Sequence, residues 1–200
     1  MSEIQTLLNM NYDDCCNFLK NKYGIINGSY FATNTFKSIN SKIKRSKDGL
    51  YIHHIDEDKA IMLSTKEYAL KNPYSYQQGD RLVYCNLLEH LVLHIKIFQF
   101  PHKDKNKNER VGVGGICNFI IPELNDIYSG IEYQQEWKKA IVKNVIDLED
   151  DYLKCIKFLN NLGFWKIKEH VWIPSLNFWF GNWKIDNNKK IIDKIKKIIW

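Results

Sequence analysis

One segment, from Asp80 to Phe100, restricts the fold of this chain more than any other. Its apolar residues recur at helical spacing, Asp80 can cap its start and a proline follows directly after its end, so we expect a helix over residues 80–100. His90 and His94 lie four residues apart on the apolar side of that helix, and such residues share one face. Both imidazoles therefore face the core, where each buried ring nitrogen needs a polar partner.

A second pair of histidines, His53 and His54, ends a short apolar run that begins after Gly49 and predicts a β-strand. Adjacent strand residues point to opposite faces, so these two imidazoles must have different tasks. One of them can turn toward the helix and join His90 and His94 at a metal ion, while the other faces a substrate. Three imidazoles with an open fourth position are typical of a catalytic metal site.

Two other interpretations of the four histidines stay open. They can be unrelated residues, some exposed and some hydrogen-bonded in the core, although a doublet and a His-x3-His pair so close together argue against this. They can also form a purely structural zinc site. Structural zinc usually takes four ligands that include cysteines, and the nearby Cys85 lies about 140° around the predicted helix from His90, which makes it a poor ligand.

The run LYIHHID at residues 50–56, followed after a long loop by RLVYCNLLEHLVLH at residues 81–94, resembles the signature of the HNH, or His-Me finger, endonucleases. In that family a strand ends in a histidine doublet, and a helix that begins with Asn-Leu-Val carries metal-binding histidines. The resemblance implies an α+β fold, in which a ββα-metal nuclease core has additional, mainly helical N- and C-terminal segments.

Residue by residue, the resemblance assigns His53 as a metal ligand and His54 as the general base that activates water. His90 and His94 become the other ligands of one divalent cation, which is Mg²⁺, Mn²⁺, Ni²⁺ or Zn²⁺. The implied activity is hydrolysis of DNA phosphodiester bonds, in a phage or defence setting. A ribonuclease or toxin-like nuclease with the same site is an open alternative, as is a non-catalytic nucleic-acid-binding protein with a structural metal site.

The chain departs from the family pattern near the helix. Arg81 stands where the family has an asparagine, which usually pins the loop that carries the base by hydrogen bonds to its backbone. The candidates for that task here are Asp80, Gln77 and Gln78. The acidic residues 56–58, which follow the doublet, are interpreted as a solvated turn rather than as metal ligands, and Glu89 is interpreted as a surface residue.

The sequence pattern divides the chain into three regions: an N-terminal helical segment (1–35), the HNH-like module (36–100) and a mainly helical accessory region packed on the core (111–200). Basic residues directly before the active-site strand are expected to contact nucleic acid, with solvated surface as the alternative. They are Lys42, Lys44, Arg45 and Lys47. The VGVGG run at 111–115 predicts a tight turn leading into a strand, and the aromatic stretch at 164–183 predicts two strands around Pro174.

Composition permits this function without requiring it. The formal net charge of +6 is compatible with a polyanionic partner, although Lys, Asn and Ile are also abundant in AT-rich genomes. The five cysteines form no Cys-x-x-Cys pair and are expected to be reduced thiols. We find neither a signal peptide pattern nor an apolar run near the ~20 residues of a membrane span. A cytoplasmic protein without membrane contact is expected, and a homodimer is left open.

Overall fold

The structure, a computed structural model, describes residues 1–167, Leu176 and residues 183–200. In these residues a two-stranded antiparallel sheet lies among helices, which confirms the expected α+β class at this level. The strands are β1, Tyr51–His54, and β2, Leu82–Cys85. The helices are α1, Glu3–Asn9; α2, Tyr12–Tyr23; α3, Lys66–Ala69; α4, Leu87–Gln99; α5, Val113–Gly115; α6, Ile121–Tyr128; α7, Glu136–Val145; α8, Glu149–Asn161; and α9, Lys189–Ile199.

Helix α4 lies at the centre of these elements. Its residues are buried on nearly every side, which is typical of a helix enclosed by other elements. Helices α1 and α2 and both strands contact it, as do α6, α7 and α8 from the C-terminal half. The two histidines of α4 are therefore held inside the protein by elements from both halves of the chain.

The start of this helix differs from the prediction. Residues 82–85 are all buried and pair with β1, so they form a strand rather than a first helical turn. Asn86, not Asp80, is the N-cap: its Oδ1 accepts hydrogen bonds from the backbone N–H groups of Leu88 (2.9 Å) and Glu89 (2.8 Å). The Glu89 carboxylate accepts the backbone N–H of Asn86 at 2.7 Å, which completes a capping box.

Glu89 is fully buried, so its interpretation as a surface residue is wrong. Besides the cap, its carboxylate accepts hydrogen bonds from the Lys22 ammonium at 2.6 Å and from the Tyr23 hydroxyl at 3.0 Å. These bonds join the end of α2 to the start of α4. The Glu89 carboxylate thus accepts hydrogen bonds from both the start of α4 and the end of α2. These bonds explain why an acidic residue occupies this interior position.

The strand pairing separates the two histidines of the doublet. In the antiparallel register His53 lies opposite Val83 and His54 opposite Leu82. The His53 ring packs against the rings of α4, whereas His54 lies against Tyr30. The sequence-based expectation that one imidazole faces the helix and the other faces away is thus met.

The VGVGG run also differs from its prediction. It does not form a tight turn before a strand: Val113–Gly115 is helical, and Ile116–Ile120 continues as a π-helix. A short apolar run suits a buried helix as well as a strand, so its period alone could not decide. The two strands expected around Pro174 lie outside the described residues. None of the helices described combines the length and apolar character needed to cross a membrane.

The capping box gives a test of how α4 is held. Replacing Asn86 with alanine should lower the free energy of unfolding by about 1–2 kcal/mol, since two backbone N–H groups lose their acceptor. Asn86→Ser should retain most of the stability, because a serine oxygen can cap the same groups. Urea denaturation of both variants checks this, and equal stability of Asn86→Ala and wild type would contradict the assigned cap.

Candidate metal centre

Four side chains with metal-binding atoms meet between β1, the turn that follows it and α4. One donor atom each from His53, Glu57, His90 and His94 lies within 4.8 Å of the others. Glu57 belongs to the 3-10 turn Ile55–Asp58, and the last two histidines lie one turn apart on α4. The three histidines are those that the resemblance to the HNH endonucleases assigns as ligands, and Glu57 is a further donor that was not among them.

Tyr12 of α2 holds His53 so that Nδ1 of the ring faces the cluster. The Tyr12 hydroxyl donates to the Ile55 carbonyl at 2.8 Å, so its oxygen accepts from His53 Nε2, also at 2.8 Å. The lone pair is then on Nδ1, which is buried, has no hydrogen-bond partner among the described residues and lies 3.4 Å from Glu57 Oε2. Burial lowers the pKa of His53 to about 3, so the ring is a neutral ligand at neutral pH.

A backbone carbonyl orients His94 in the same way. His94 Nδ1 lies 3.1 Å from the carbonyl oxygen of Gly112, which can only accept, so Nδ1 carries the hydrogen. The lone pair is then on Nε2. This atom lies 3.2 Å from Nε2 of His90 and 3.4 Å from Oε2 of Glu57.

His90 packs between Tyr51 and the other two imidazoles. Its ring centroid lies 5.7 Å from that of Tyr51, 5.2 Å from that of His53 and 4.8 Å from that of His94. Its Nδ1 is buried, and no group in the described part of the chain forms a hydrogen bond with it. Burial, with a smaller effect of the two neighbouring histidines, lowers the pKa of His90 well below its usual value, so this ring is also neutral.

The charge of Glu57 shows that the cluster needs a positive partner. Burial raises the pKa of the Glu57 carboxyl, whereas the contact with His94 and the positive charge that His53 and His94 carry when protonated lower it by more, so the net pKa lies below its usual value. An ionised carboxylate in a mostly buried position requires a compensating charge. Neutral His94 directs its one hydrogen at Gly112 and has none left for Glu57. Either a second proton on His94 or a cation must supply the charge.

A divalent cation fits these atoms better than a second proton. A proton on His94 would leave the buried Nδ1 of His53 without a partner in the described residues, whereas a cation can accept both lone pairs and the carboxylate. Ligand atoms of tetrahedral zinc, at bonds of about 2.0–2.1 Å, lie roughly 3.3 Å apart. Three of the donor separations here are 3.2, 3.4 and 3.4 Å, and all lie within 4.8 Å. Imidazoles with one carboxylate favour Zn²⁺ or Ni²⁺ over Mg²⁺, which prefers oxygen ligands.

The acidic turn that carries Glu57 is not solvated, contrary to the sequence-based interpretation. Asp56 is 1% exposed and accepts two hydrogen bonds from Arg81 and one from Lys59, all at 2.7 Å. Burial raises the pKa of Asp56, but these two cations lower it more. Because Arg81 directly precedes β2, its bidentate pair ties the turn to the second strand. Arg81 thus anchors this turn itself.

Gln77, one of the three candidates for positioning the base, contacts His54 directly. Its side-chain N–H donates to the Leu63 carbonyl at 3.0 Å, so its Oε1 must face His54 Nε2, also 3.0 Å away. His54 therefore carries its hydrogen on Nε2, and the lone pair on Nδ1 faces Glu57 Oε1 at 4.0 Å. The ring is buried, and burial lowers its pKa, so it is neutral at neutral pH.

The basic residues before β1 differ in whether they are exposed or bonded to the rest of the protein. Lys42, Lys44 and Lys47 are exposed. Arg45 instead donates to the Tyr23 carbonyl at 2.9 Å and pairs with Asp48 at 2.7 Å, so it holds the chain before the strand. Together with Tyr51 and other residues, Lys44 and Arg45 line a cavity of about 420 Å³. Tyr51 contacts His90, so this cavity and the cluster share a wall.

Comparison of the chain with protein-family models, with curated proteins and with solved structures found no match. The functional proposal therefore rests on geometry and sequence pattern.

The ligand assignment can be tested by removing one imidazole at a time. His90→Ala and His94→Ala should each weaken Zn²⁺ or Ni²⁺ binding by more than about 100-fold, since loss of a supporting contact alone costs 10–100-fold. The rise in melting temperature on adding metal should disappear with it. His102→Ala is the matched control, because His102 pairs with Asp104 outside the cluster. Calorimetric titration that finds wild-type affinity in both α4 variants would refute the site.

Proposed function

We propose that the protein is a metal-dependent endonuclease of the HNH kind that hydrolyses DNA phosphodiester bonds. The observation that carries this proposal is the convergence of His53, His90 and His94 from a strand and a helix, with His54 directed to the other side of the same strand. The resemblance implies this same assignment, with His53 as a metal ligand and His54 as the general base.

The residues of the chain account for two requirements of phosphodiester hydrolysis. A bound divalent cation would act as a Lewis acid on a phosphate oxygen. In this proposal His54, a neutral imidazole whose Nδ1 lies 4.0 Å from Glu57 Oε1, takes a proton from the attacking water. Gln77 fixes the tautomer that makes this possible, and Arg81 holds the intervening turn through Asp56. The exposed lysines before β1 offer charge for the phosphate backbone.

One observation favours a second candidate, a nucleic-acid-binding protein with a structural metal site. Glu57 contributes a fourth donor, and four protein ligands close a tetrahedral site, whereas catalytic zinc keeps one position open. His53 and His94 are also nearly inaccessible to solvent. In this alternative the cation stabilises the fold and no phosphodiester bond is cut.

Incubation with nucleic acid separates these functions. Plasmid DNA and a structured RNA would each be incubated with the full chain and Mg²⁺, Mn²⁺, Ni²⁺ or Zn²⁺, and with EDTA. Metal-dependent cleavage of DNA supports the endonuclease. Cleavage of RNA alone would assign a ribonuclease, and metal-dependent stability without any cleavage would favour the structural site.

The general base is tested by altering His54. Both His54→Ala and His54→Gln should lower the cleavage rate by about 100- to 10,000-fold, the usual contribution of a positioned base. Glutamine fills a similar volume without a basic nitrogen, so a loss in both variants would not stem from a cavity alone. Metal affinity by calorimetry should stay near that of wild type, because His54 is not a member of the cluster. Turnover close to wild type in either variant would sink the assignment.

The substrate path is tested by removing charge from the basic residues. Changing Lys42, Lys44 and Lys47 to glutamine should reduce the slope of log affinity against log salt by roughly 0.9 for each phosphate that is no longer neutralised. Affinity should fall about equally for unrelated sequences, since phosphate contacts carry no sequence information. Arg45 is left unchanged because it bonds to the backbone of Tyr23.

The matched control removes three exposed lysines of the C-terminal helix, Lys190, Lys196 and Lys197. Fluorescence anisotropy of a labelled duplex, measured across a salt series in the His54→Ala background, gives both slopes. The same slope for wild type and for the triple variant before β1 would show that these lysines are only solvated surface.

A further inference from the structure

Gly115 lies directly against the ring of His94. A Cβ atom placed on Gly115 would come within 2.4 Å of Cε1, 2.6 Å of Nδ1 and 2.9 Å of Nε2 of that imidazole. All three distances are below van der Waals contact, so any side chain at residue 115 would compete with the ring for the same space. His94 is 7% exposed and has little room to move elsewhere.

Gly112, three residues earlier, fixes the same ring from its Nδ1 side. Its carbonyl oxygen accepts the Nδ1 hydrogen of His94 at 3.1 Å. The backbone of Gly112 has φ +78°, a left-handed conformation that favours glycine. A Cβ atom there would also lie 2.8 Å from the backbone oxygen of His94 and 3.2 Å from the backbone N of Phe98, so the segment packs closely along α4.

Gly114, between these two, has no such reason to be glycine. The nearest atom to a Cβ placed there, within the described residues, is the side-chain nitrogen of Asn118, at an ordinary 3.9 Å. Since glycine within a helix is less stable than alanine, the close approach to His94 explains Gly115 but leaves Gly114 free to vary.

We propose that Gly112 and Gly115 are positioning residues that hold His94 in the orientation of a metal ligand. The Gly112 carbonyl selects the tautomer with its lone pair on Nε2, and the bare α-carbon of Gly115 leaves the space that the ring needs for Nε2 to face His90 and Glu57. This inference rests on the metal site of the proposed function. It gives the glycine-rich run a role in the centre although the run contributes no ligand.

The first test compares metal binding by full-length Gly115→Ala and Gly114→Ala proteins. Gly115→Ala should weaken Zn²⁺ binding by about 10- to 100-fold, the usual effect of disturbing a group that orients a ligand. It should also change the visible spectrum of the bound Co²⁺ form, which reports the ligand geometry. Gly114→Ala should bind within about twofold of wild type. Wild-type affinity in Gly115→Ala, or equal losses in both variants, would overturn the proposal.

The second test is a double-mutant cycle of melting temperatures, which tests the proposal even where Gly115→Ala alone folds poorly. In the metal-free His94→Ala background the ring is absent, so Gly115→Ala should cause little or no further loss of melting temperature. The same substitution should lower it clearly when His94 is present. An equal loss in both backgrounds would mean that Gly115 serves only the local backbone, and would overturn the role toward His94.

These readouts separate the proposal from the nuclease itself. If the wild-type chain binds no metal, the positioning role and the proposed function both fail. If it binds metal and Gly115→Ala weakens that binding while no DNA is cut, only the nuclease assignment fails.

Discussion

The burial of two histidines on one face of α4 is the constraint on which the rest of the centre depends. A helix enclosed by other helices and a sheet cannot leave ring nitrogens without partners at low cost. Neighbouring elements supply partners for some of these atoms: residue 112 supplies a carbonyl to His94, and the turn after β1 supplies the Glu57 carboxylate. Helix α2 supplies the Tyr12 hydroxyl to His53 of the adjacent strand, whereas Nδ1 of His90 has no partner among the described residues. The remaining lone pairs lie close to one another, and a cation bound between them can accept them.

The two faces of β1 keep the tasks of the doublet apart. On one face His53 is part of the donor cluster, and on the other His54 is held by Gln77 with its free nitrogen toward Glu57. Within the described cluster, Glu57 is therefore the side chain whose two oxygens face both imidazoles of the doublet. Whether it acts as a fourth ligand or yields its place to a phosphate decides between the two functions proposed.

The sequence predicts the parts of this site that depend on periodicity. The i,i+4 spacing of His90 and His94 and the alternation of His53 and His54 bring His53, His90 and His94 together because helix and strand geometry are regular. Glu57 escaped prediction because it stands in a short 3-10 turn without a period, and its burial depends on Asp56 pairing with Arg81. The early helix start was wrong because an apolar strand and a helix share composition at residues 82–85. Contacts across long separations, such as Gly115 against His94, have no local signal.

The partners of the ligands come from far along the chain, which bears on how the centre forms during folding. Tyr12 precedes His53 by 41 residues, and Gly112 follows His94 by 18. Strands β1 and β2 and helix α4 all come from residues 51–99, yet His53 and His94 acquire these partners only after α2 and the segment beyond α4 have docked. Closing such loops costs chain entropy before any contact compensates for it. At the proposed metal site, binding of the cation should thus be a late event, and an excised 36–100 segment would carry the proposed ligands without the groups that orient two of them.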